Sequence, residues 1–593
     1  MKPFIALVIV AFVVAGGPVR SAEDLGVPSR DGLVVCVSSP SCDAGAGALA
    51  SGGNAVDAAV ATAFALAVTH PSAGNIGGGG FMIVRTAAGQ ITTFDYREKA
   101  PLKSTRTMYL DADGKIDRSL TAAGYLAPGV PGTVRGLELA HKRFGRLPWR
   151  QVVMPAIGLA ENGFPLSESL ARALNRELQG SMAKFPVSVA AYAKPGGGNW
   201  APGDRLVLGD LAKTLRAIAA DGAKAFYTGW IADRIADDMK ANGGLISKDD
   251  LAAYQAKERQ PVRGTYRGYE IVTMPPPSSG GIALVEMLNI LEPFDLKEKG
   301  LLTAPAIHLE IEAMRRAFLD RARQLGDTDF VSVPVAELTS KEHARTIGAS
   351  ISTEKASSSV ELGKDVVAPE ASEPDETTHF SVMDRAGMTV TSTYTLEGGF
   401  GSHVVVKGAG FLLNNEMGDF NRKPGETNST GDIGTPANLI DPGKRMLSSM
   451  TPTIVLKDGK VVLVTGSPGG RTITNTVLSV VLGVTEYGLT GRAAVDAARL
   501  HHPWLPDRVT IEGPPTNTDT SSGASTWAPA AVSNEVIEAL RARGHDVRTN
   551  GRQGDAHSIW VAPDGTPYGV NDKRTPDSKA SVPEHLTAPA TRR

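Results

Sequence analysis

Asp375-Glu376-Thr377-Thr378-His379-Phe380-Ser381-Val382-Met383 joins an acidic, polar run to the opening of an apolar strand. Upstream, residues 352–376 are rich in Ser, Glu, Asp, Lys and Pro, a composition that buries little surface and predicts a flexible segment. Downstream, Asp384-Arg385-Ala386-Gly387 turns the chain into Thr389-Val390-Thr391-Ser392-Thr393-Tyr394, so the two runs read as a hairpin. A flexible acidic segment therefore delivers a threonine to the start of a buried strand. If the peptide bond before Thr377 is cut, a hydroxyl and a new α-amine share one residue. An α-amine has an ordinary pKa of about 7.7–8.0, suited to taking a hydroxyl proton near neutral pH. Nucleophile and base are then supplied without a histidine. The same residues also fit a plain Thr-rich strand edge, and the junction alone leaves both readings open.

Outward from this hairpin the pattern is mixed. A short buried strand is expected at 33–37, then a helix over about 43–51 stopped by Gly52-Gly53. Asn54 caps a second helix that runs to Val68. Gly45-x-Gly47-x-x-Ala50 matches a loose dinucleotide fingerprint. Its glycines fall inside the helical stretch rather than in the turn after the strand, and no acid ends a second strand about 20 residues later. A dinucleotide site is excluded. Gly77-Gly78-Gly79-Gly80 leads into a strand at 81–84, paired with another at 91–96. Helical periodicity dominates 150–330, as at 307–325, where Leu309, Ala313 and Ala317 share a face. Further strands are expected at 409–413, 452–456, 461–465, 557–561 and 567–570, and the Thr/Ser-rich stretch 514–529 reads as a surface loop.

Composition narrows the function. With 593 residues, 61 Lys+Arg against 63 Asp+Glu give a net charge of −2, which removes the broad basic footprint of a nucleic-acid binder. Two cysteines exclude a disulfide scaffold and any four-thiolate metal site. The start is Met1-Lys2, an apolar run from Phe4 to Ala15, then Gly16-Gly17-Pro18 and Arg20-Ser21-Ala22. This describes a secretory signal over residues 1–22, too short to span a bilayer, and predicts an exported protein, periplasmic or secreted. Export makes a Cys36–Cys42 disulfide possible, and two small buried thiols are the alternative. Gly-x-Ser-x-Gly, Gly-x4-Gly-Lys-[Ser/Thr], His-Glu-x-x-His and Cys-x-x-Cys are all absent. His501-His502 is adjacent, cannot share a helix face for a metal, and reads as structural.

Several segments carry a resemblance. They are His70-Pro71-Ser72-Ala73-Gly74-Asn75-Ile76 with the glycine run and Phe81-Met82, Tyr96-Arg97-Glu98-Lys99-Ala100-Pro101, and Thr377-Thr378-His379-Phe380-Ser381-Val382. Later come Leu412-Leu413-Asn414-Asn415-Glu416-Met417-Gly418-Asp419-Phe420, Leu447-Ser448-Ser449-Met450-Thr451-Pro452-Thr453 and Gly466-Ser467-Pro468-Gly469-Gly470. In order and spacing, over about residues 30–575, the chain resembles the gamma-glutamyltranspeptidase family of N-terminal-nucleophile hydrolases. The resemblance implies an α+β fold, a four-layer αββα sandwich, and an inactive precursor that cuts itself between Glu376 and Thr377. A large chain, 23–376, ending in the flexible 352–376 segment, would then pair as a heterodimer with a small catalytic chain, 377–593.

By the same resemblance, Thr377 attacks the γ-glutamyl amide of glutathione or a related compound. Water, or an amino acid or peptide acceptor, then releases the glutamyl group. Thr395 orients Thr377, and Gly469 and Gly470 offer N–H groups to the oxyanion. Arg97 pairs with the substrate α-carboxylate, helped by Ser448 and Ser449. Glu416 and Asp419 hold the substrate ammonium, and Glu397, where many relatives carry Asn, adds a third carboxylate. No metal or organic cofactor is implied, nor any nucleic-acid partner, nor a membrane once the signal is removed. In residues 421–441, which resemble a lid, Thr430 stands where an aromatic often closes the pocket. That predicts hydrolysis comparable to or above transfer. The rival readings are a glutaryl or cephalosporin acylase of the same family and an inactive secreted binding protein.

Overall fold

The computed structural model describes residues 24–366, 377–428, 432–513, 532–550 and 552–584. The signal at 1–22, the junction residues 367–376, Thr430 and the 514–529 stretch lie outside the described residues. In the strand Gly32–Cys36 every residue is buried, and alternate side chains enter different cores. Val34 and Cys36 pack with the helices Ser39–Ala50, Ala55–Thr69, Trp149–Asn162 and Gly209–Asp221. Leu33 and Val35 point the other way, where they meet Val272, Ile454, Val464 and Ile559 of a second sheet. A strand buried on both faces must read as an unbroken apolar run, and Leu33-Val34-Val35-Cys36 does.

Two seven-stranded antiparallel sheets thus lie face to face. The first runs in the order Lys579–Ser581, Gly32–Cys36, Thr378–Asp384, Thr389–Thr395, Gly79–Arg85, Ile91–Asp95, Lys257–Arg259. The second runs Val27–Pro28, Pro567–Val570, Ser558–Val561, Lys460–Thr465, Thr453–Lys457, Tyr269–Thr273, Val262–Tyr266. The outer face of the second is covered by the helices Gly280–Leu291, Ala304–Gln324 and Thr472–Thr485. Three apolar cores, helix–sheet, sheet–sheet and sheet–helix, make the four-layer αββα sandwich expected.

The fingerprint-like glycines sit inside the helix Ser39–Ala50, where a Cβ on Gly45 would come within 2.1 Å of Thr62 Oγ1 of the next helix. Gly45 thus serves helix packing, while Gly47 is exposed. Asn54 caps Ala55–Thr69 through a capping box with Asp57. Cys36 and Cys42 are joined in a disulfide, with Cα atoms 5.7 Å apart.

Three expectations need correction. Residues 409–413 form no strand, only a bridge between Val405 and Leu412. Gly408 and Gly410 at φ +75° and +76° fold this apolar run into a tight loop instead. The strands Lys257–Arg259, Val262–Tyr266 and Tyr269–Thr273 interrupt the region read as helical. Residues 352–366, read as part of a flexible segment, stay largely exposed but are anchored by specific bonds. Ser359 donates its N–H to Asp507 at 2.8 Å, and the Trp504 indole donates to the Ser359 carbonyl at 2.9 Å.

Candidate active site

Thr377 stands at the head of the strand Thr378–Asp384, near the centre of the first sheet. The ladder pairs Thr378 with Tyr394, so one further step of the register sets Thr377 opposite Thr395. Alternation puts Thr377 on the inter-sheet side with His379 and Ser381. His379 is buried and kept neutral by burial, far below the usual histidine range. Its ring is already bonded, Nδ1 to Thr393 Oγ1 at 2.8 Å and Nε2 to Ser381 Oγ at 3.2 Å. Both ring nitrogens are thus engaged within the hairpin rather than turned to Thr377. Thr395 Oγ1 accepts the Glu397 N–H at 2.9 Å, so its own hydroxyl proton is the one it can donate. Glycine is required beside it, since a Cβ on Gly78 would lie 2.0 Å from the Thr395 carbonyl oxygen.

Thr377 lines a cleft that opens to solvent. Its lining unites Thr395, Glu397, Arg97, Glu416, Asp419, Ser448, Ser449 and Gly470, which lie far apart in sequence. Gly469 is the one expected site residue outside that lining, directly beside Gly470. The pair precedes the helix Thr472–Thr485, with φ of +124° and +50° that glycine alone adopts easily. Their position at a helix N-terminus favours negative charge.

Arg97 is fully buried and already engaged. Its guanidinium pairs with Glu416 and Asp419, lies 3.6 Å from Glu98, and reaches the Leu447 carbonyl at 3.3 Å. Burial works against its charge, but the surrounding carboxylates raise its pKa further above the ordinary value. Burial pushes the Glu98 carboxyl up to about 7, and burial with neighbouring carboxylates holds Glu416 well above the usual range. One guanidinium thus faces more carboxylates than it can neutralise. This end of the cleft has a surplus of acid, suited to a ligand cation.

Sequence reading missed Arg321, Arg422, Arg471, Asp432 and Asn438, which also line the cleft. Arg321 donates to Ser279 Oγ at 2.9 Å and Ser449 Oγ at 3.2 Å. Asn438 Nδ2 donates to the Asp419 carbonyl at 2.7 Å, and its Oδ1 accepts the Leu447 N–H at 2.9 Å. Arg422, Asp432 and Asn438 fall within the 421–441 stretch read as a lid and Arg471 directly follows Gly469-Gly470, whereas Arg321 lay beside no motif.

The family profile described as Gamma-glutamyltranspeptidase matches residues 41–582. The chain belongs to the gamma-glutamyltranspeptidase family. It is 45% identical to a glutathione hydrolase proenzyme of Escherichia coli (strain K12), over 93% of this chain and 92% of that protein. It is 38% identical to the Acylase ACY 1 proenzyme of Pseudomonas sp. (strain SE83), over 91% of each. The fold is similar to the crystal structure of a cephalosporin acylase from Bacillus halodurans, with TM-score 0.80 and 28% identity over 97% of this chain and all of that one. The chain is thus similar both to glutathione hydrolase proenzymes and to acylases, and the site must separate the two readings. Among the described residues no helix is long and apolar enough to cross a membrane.

Proposed function

We propose that this chain is the exported precursor of a gamma-glutamyltransferase and glutathione hydrolase that cuts itself between Glu376 and Thr377. The carrying observation is the single cleft that holds Thr377 together with the acid-rich group around Arg97 and Gly470, the second of the glycine pair before a helix. In the two-chain form the α-amine of Thr377 takes the proton of its own hydroxyl. Oγ1 attacks the γ-amide carbonyl while the Thr395 hydroxyl orients it. The oxyanion is met by N–H groups of Gly469 and Gly470. Collapse returns the proton to the leaving amine, and water or an acceptor amine then attacks the ester by the same route in reverse.

The head group is read from both sides. Glu416, Asp419 and Glu397 take the ammonium, and Arg97 with Ser448 and Ser449 takes the α-carboxylate. Arg97 is held by Glu416 and Asp419, so it acts as the pivot of a charge network that a zwitterionic head group completes. This favours γ-glutamyl amides over the acylase reading, since a glutaryl amide leaves the acids without their cation. Intact mass with N-terminal sequencing of every fragment tests the first step. Two fragments, one starting at Thr377, are expected, and a Thr377→Ala variant stays whole. Comparing γ-glutamyl and glutaryl amides of one chromogenic amine tests the second, and equal turnover refutes it. Product ratios with and without glycylglycine measure hydrolysis against transfer.

A further inference from the structure

Away from the cleft, three helices bring a second set of ionisable groups together. Gly280–Leu291 supplies Glu286, Ala304–Gln324 supplies Asp320, and Lys341–Gly348 supplies His343. His343 Nε2 lies 2.8 Å from Asp320 Oδ2 and 3.8 Å from Glu286 Oε1. One donor atom from each residue falls within 4.8 Å of the others. Ligands about 2.0–2.1 Å from a tetrahedral ion stand roughly 3.3 Å apart, between the two measured separations.

The second observation is the state of Glu286. It is 1% exposed, and its Oε1, the atom facing His343, has no hydrogen-bond partner among the described residues. A buried acceptor without a partner is costly, and a cation placed between Glu286, Asp320 and His343 answers that cost. Arg323 does not fill the role. Its nearest approach to Asp320 is 3.7 Å, while its Nη2 is bonded to Asp365 at 2.6 Å and to the Leu362 carbonyl. A rival trio, His308, Glu312 and His545, also lies within ligand distance. There Glu312 is held by Arg315 and Arg316, and His308 uses both ring nitrogens, on His545 and on the Ser352 carbonyl.

We propose that Glu286, Asp320 and His343 bind one divalent transition-metal ion of the zinc class, with water completing its shell. Two carboxylates and a neutral imidazole balance the double charge and suit such an ion better than calcium or magnesium, which prefer oxygen alone. The role is structural. Asp320 directly precedes Arg321, and Ser279, which Arg321 bonds, directly precedes the helix that carries Glu286. An ion joining Asp320 to Glu286 therefore fixes the two helices that meet behind Ser449.

The test uses full-length protein stripped with a chelator. Zn²⁺ alone is titrated calorimetrically, and Co²⁺ is added to read ligand-field absorption in the visible. Wild type is expected to take up one equivalent and to melt at a higher temperature when loaded. Glu286→Gln, which keeps the shape, and His343→Ala, at a half-buried position, should each weaken that equivalent at least tenfold and lose the Co²⁺ bands. His545→Ala should leave both unchanged. No bound equivalent in wild type, unchanged binding in Glu286→Gln, or loss in His545→Ala overturns the proposal. None of these readouts depends on turnover, so failure here stays distinct from failure of the enzymatic reading.

Discussion

Arg97 keeps its charge inside the protein because Glu416 and Asp419 face it, and removing one side of such a buried pair typically costs about 3–5 kcal/mol. Glu98 is the unbalanced member, and its pH behaviour follows from the sign of its shift. Folded, its carboxyl titrates at about 7, above its unfolded value of about 4.5. Between those values the folded chain holds a proton that the unfolded chain has lost, so stability from this group falls as pH rises through the window. Glu98→Gln removes that dependence. Its thermal midpoint relative to wild type should be higher at pH 8 than at pH 5. Thermal melts of both proteins across this range check it. Arg321 is the other residue whose role the site defines, through Ser449. Arg321→Ala should raise KM for a γ-glutamyl amide roughly tenfold with a smaller change in kcat. Arg321→Lys should rescue little, because one ammonium cannot reproduce the two-point contact to Ser279 and Ser449. Steady-state kinetics of the two variants decide this.

At the scale of elements, the strand Gly32–Cys36 lies directly against Thr378–Asp384, with Cys36 paired to Phe380. The Cys36–Cys42 disulfide ties that strand to the first turn of Ser39–Ala50. Closing so short a loop restricts the unfolded chain by about 2 kcal/mol. Replacing both cysteines by serine should lower the unfolding midpoint by a corresponding few degrees and leave turnover at low temperature near wild type. Denaturation curves with paired activity assays measure both.

For the whole molecule, the order of the first sheet has a direct consequence. Strands on either side of the proposed cut alternate within it, Lys579–Ser581 beside Gly32–Cys36, then Thr378–Asp384 and Thr389–Thr395, then Gly79–Arg85. The second sheet is mixed in the same way, with Tyr269–Thr273 beside Thr453–Lys457. Cutting before Thr377 therefore severs no ladder, and the two chains cannot part without opening both sheets. They should co-elute as one species in native buffer and in high salt, and separate only in denaturant. Dissociation by salt alone would contradict the shared core.

The hairpin that follows Thr377, the glycine pair and the Asn54 cap were legible in the sequence because each is a local pattern, whereas the role proposed for Thr377 came from the resemblance, carried by the order of motifs along the chain. Turns, caps and two-residue alternation act over a few neighbours, and Asn54, Thr377 and Gly469 sit inside such patterns. Arg321 was not legible, since a buried arginine on a long helix looks like any charged helical residue until Ser449 is folded against it. Residues 409–413 misled because apolar composition marks burial, not strand, and two glycines of positive φ bend that run into a loop. Residues 352–366 misled in the opposite direction, since polar chain becomes ordered when Asp507, Arg315 and Trp504 supply its partners. Local sequence determined which residues could carry the chemistry. Only the tertiary structure decided that Arg97 meets Glu416 and Asp419 in one desolvated cleft, because charge energies there depend on distance and burial, and no spacing along the chain encodes either.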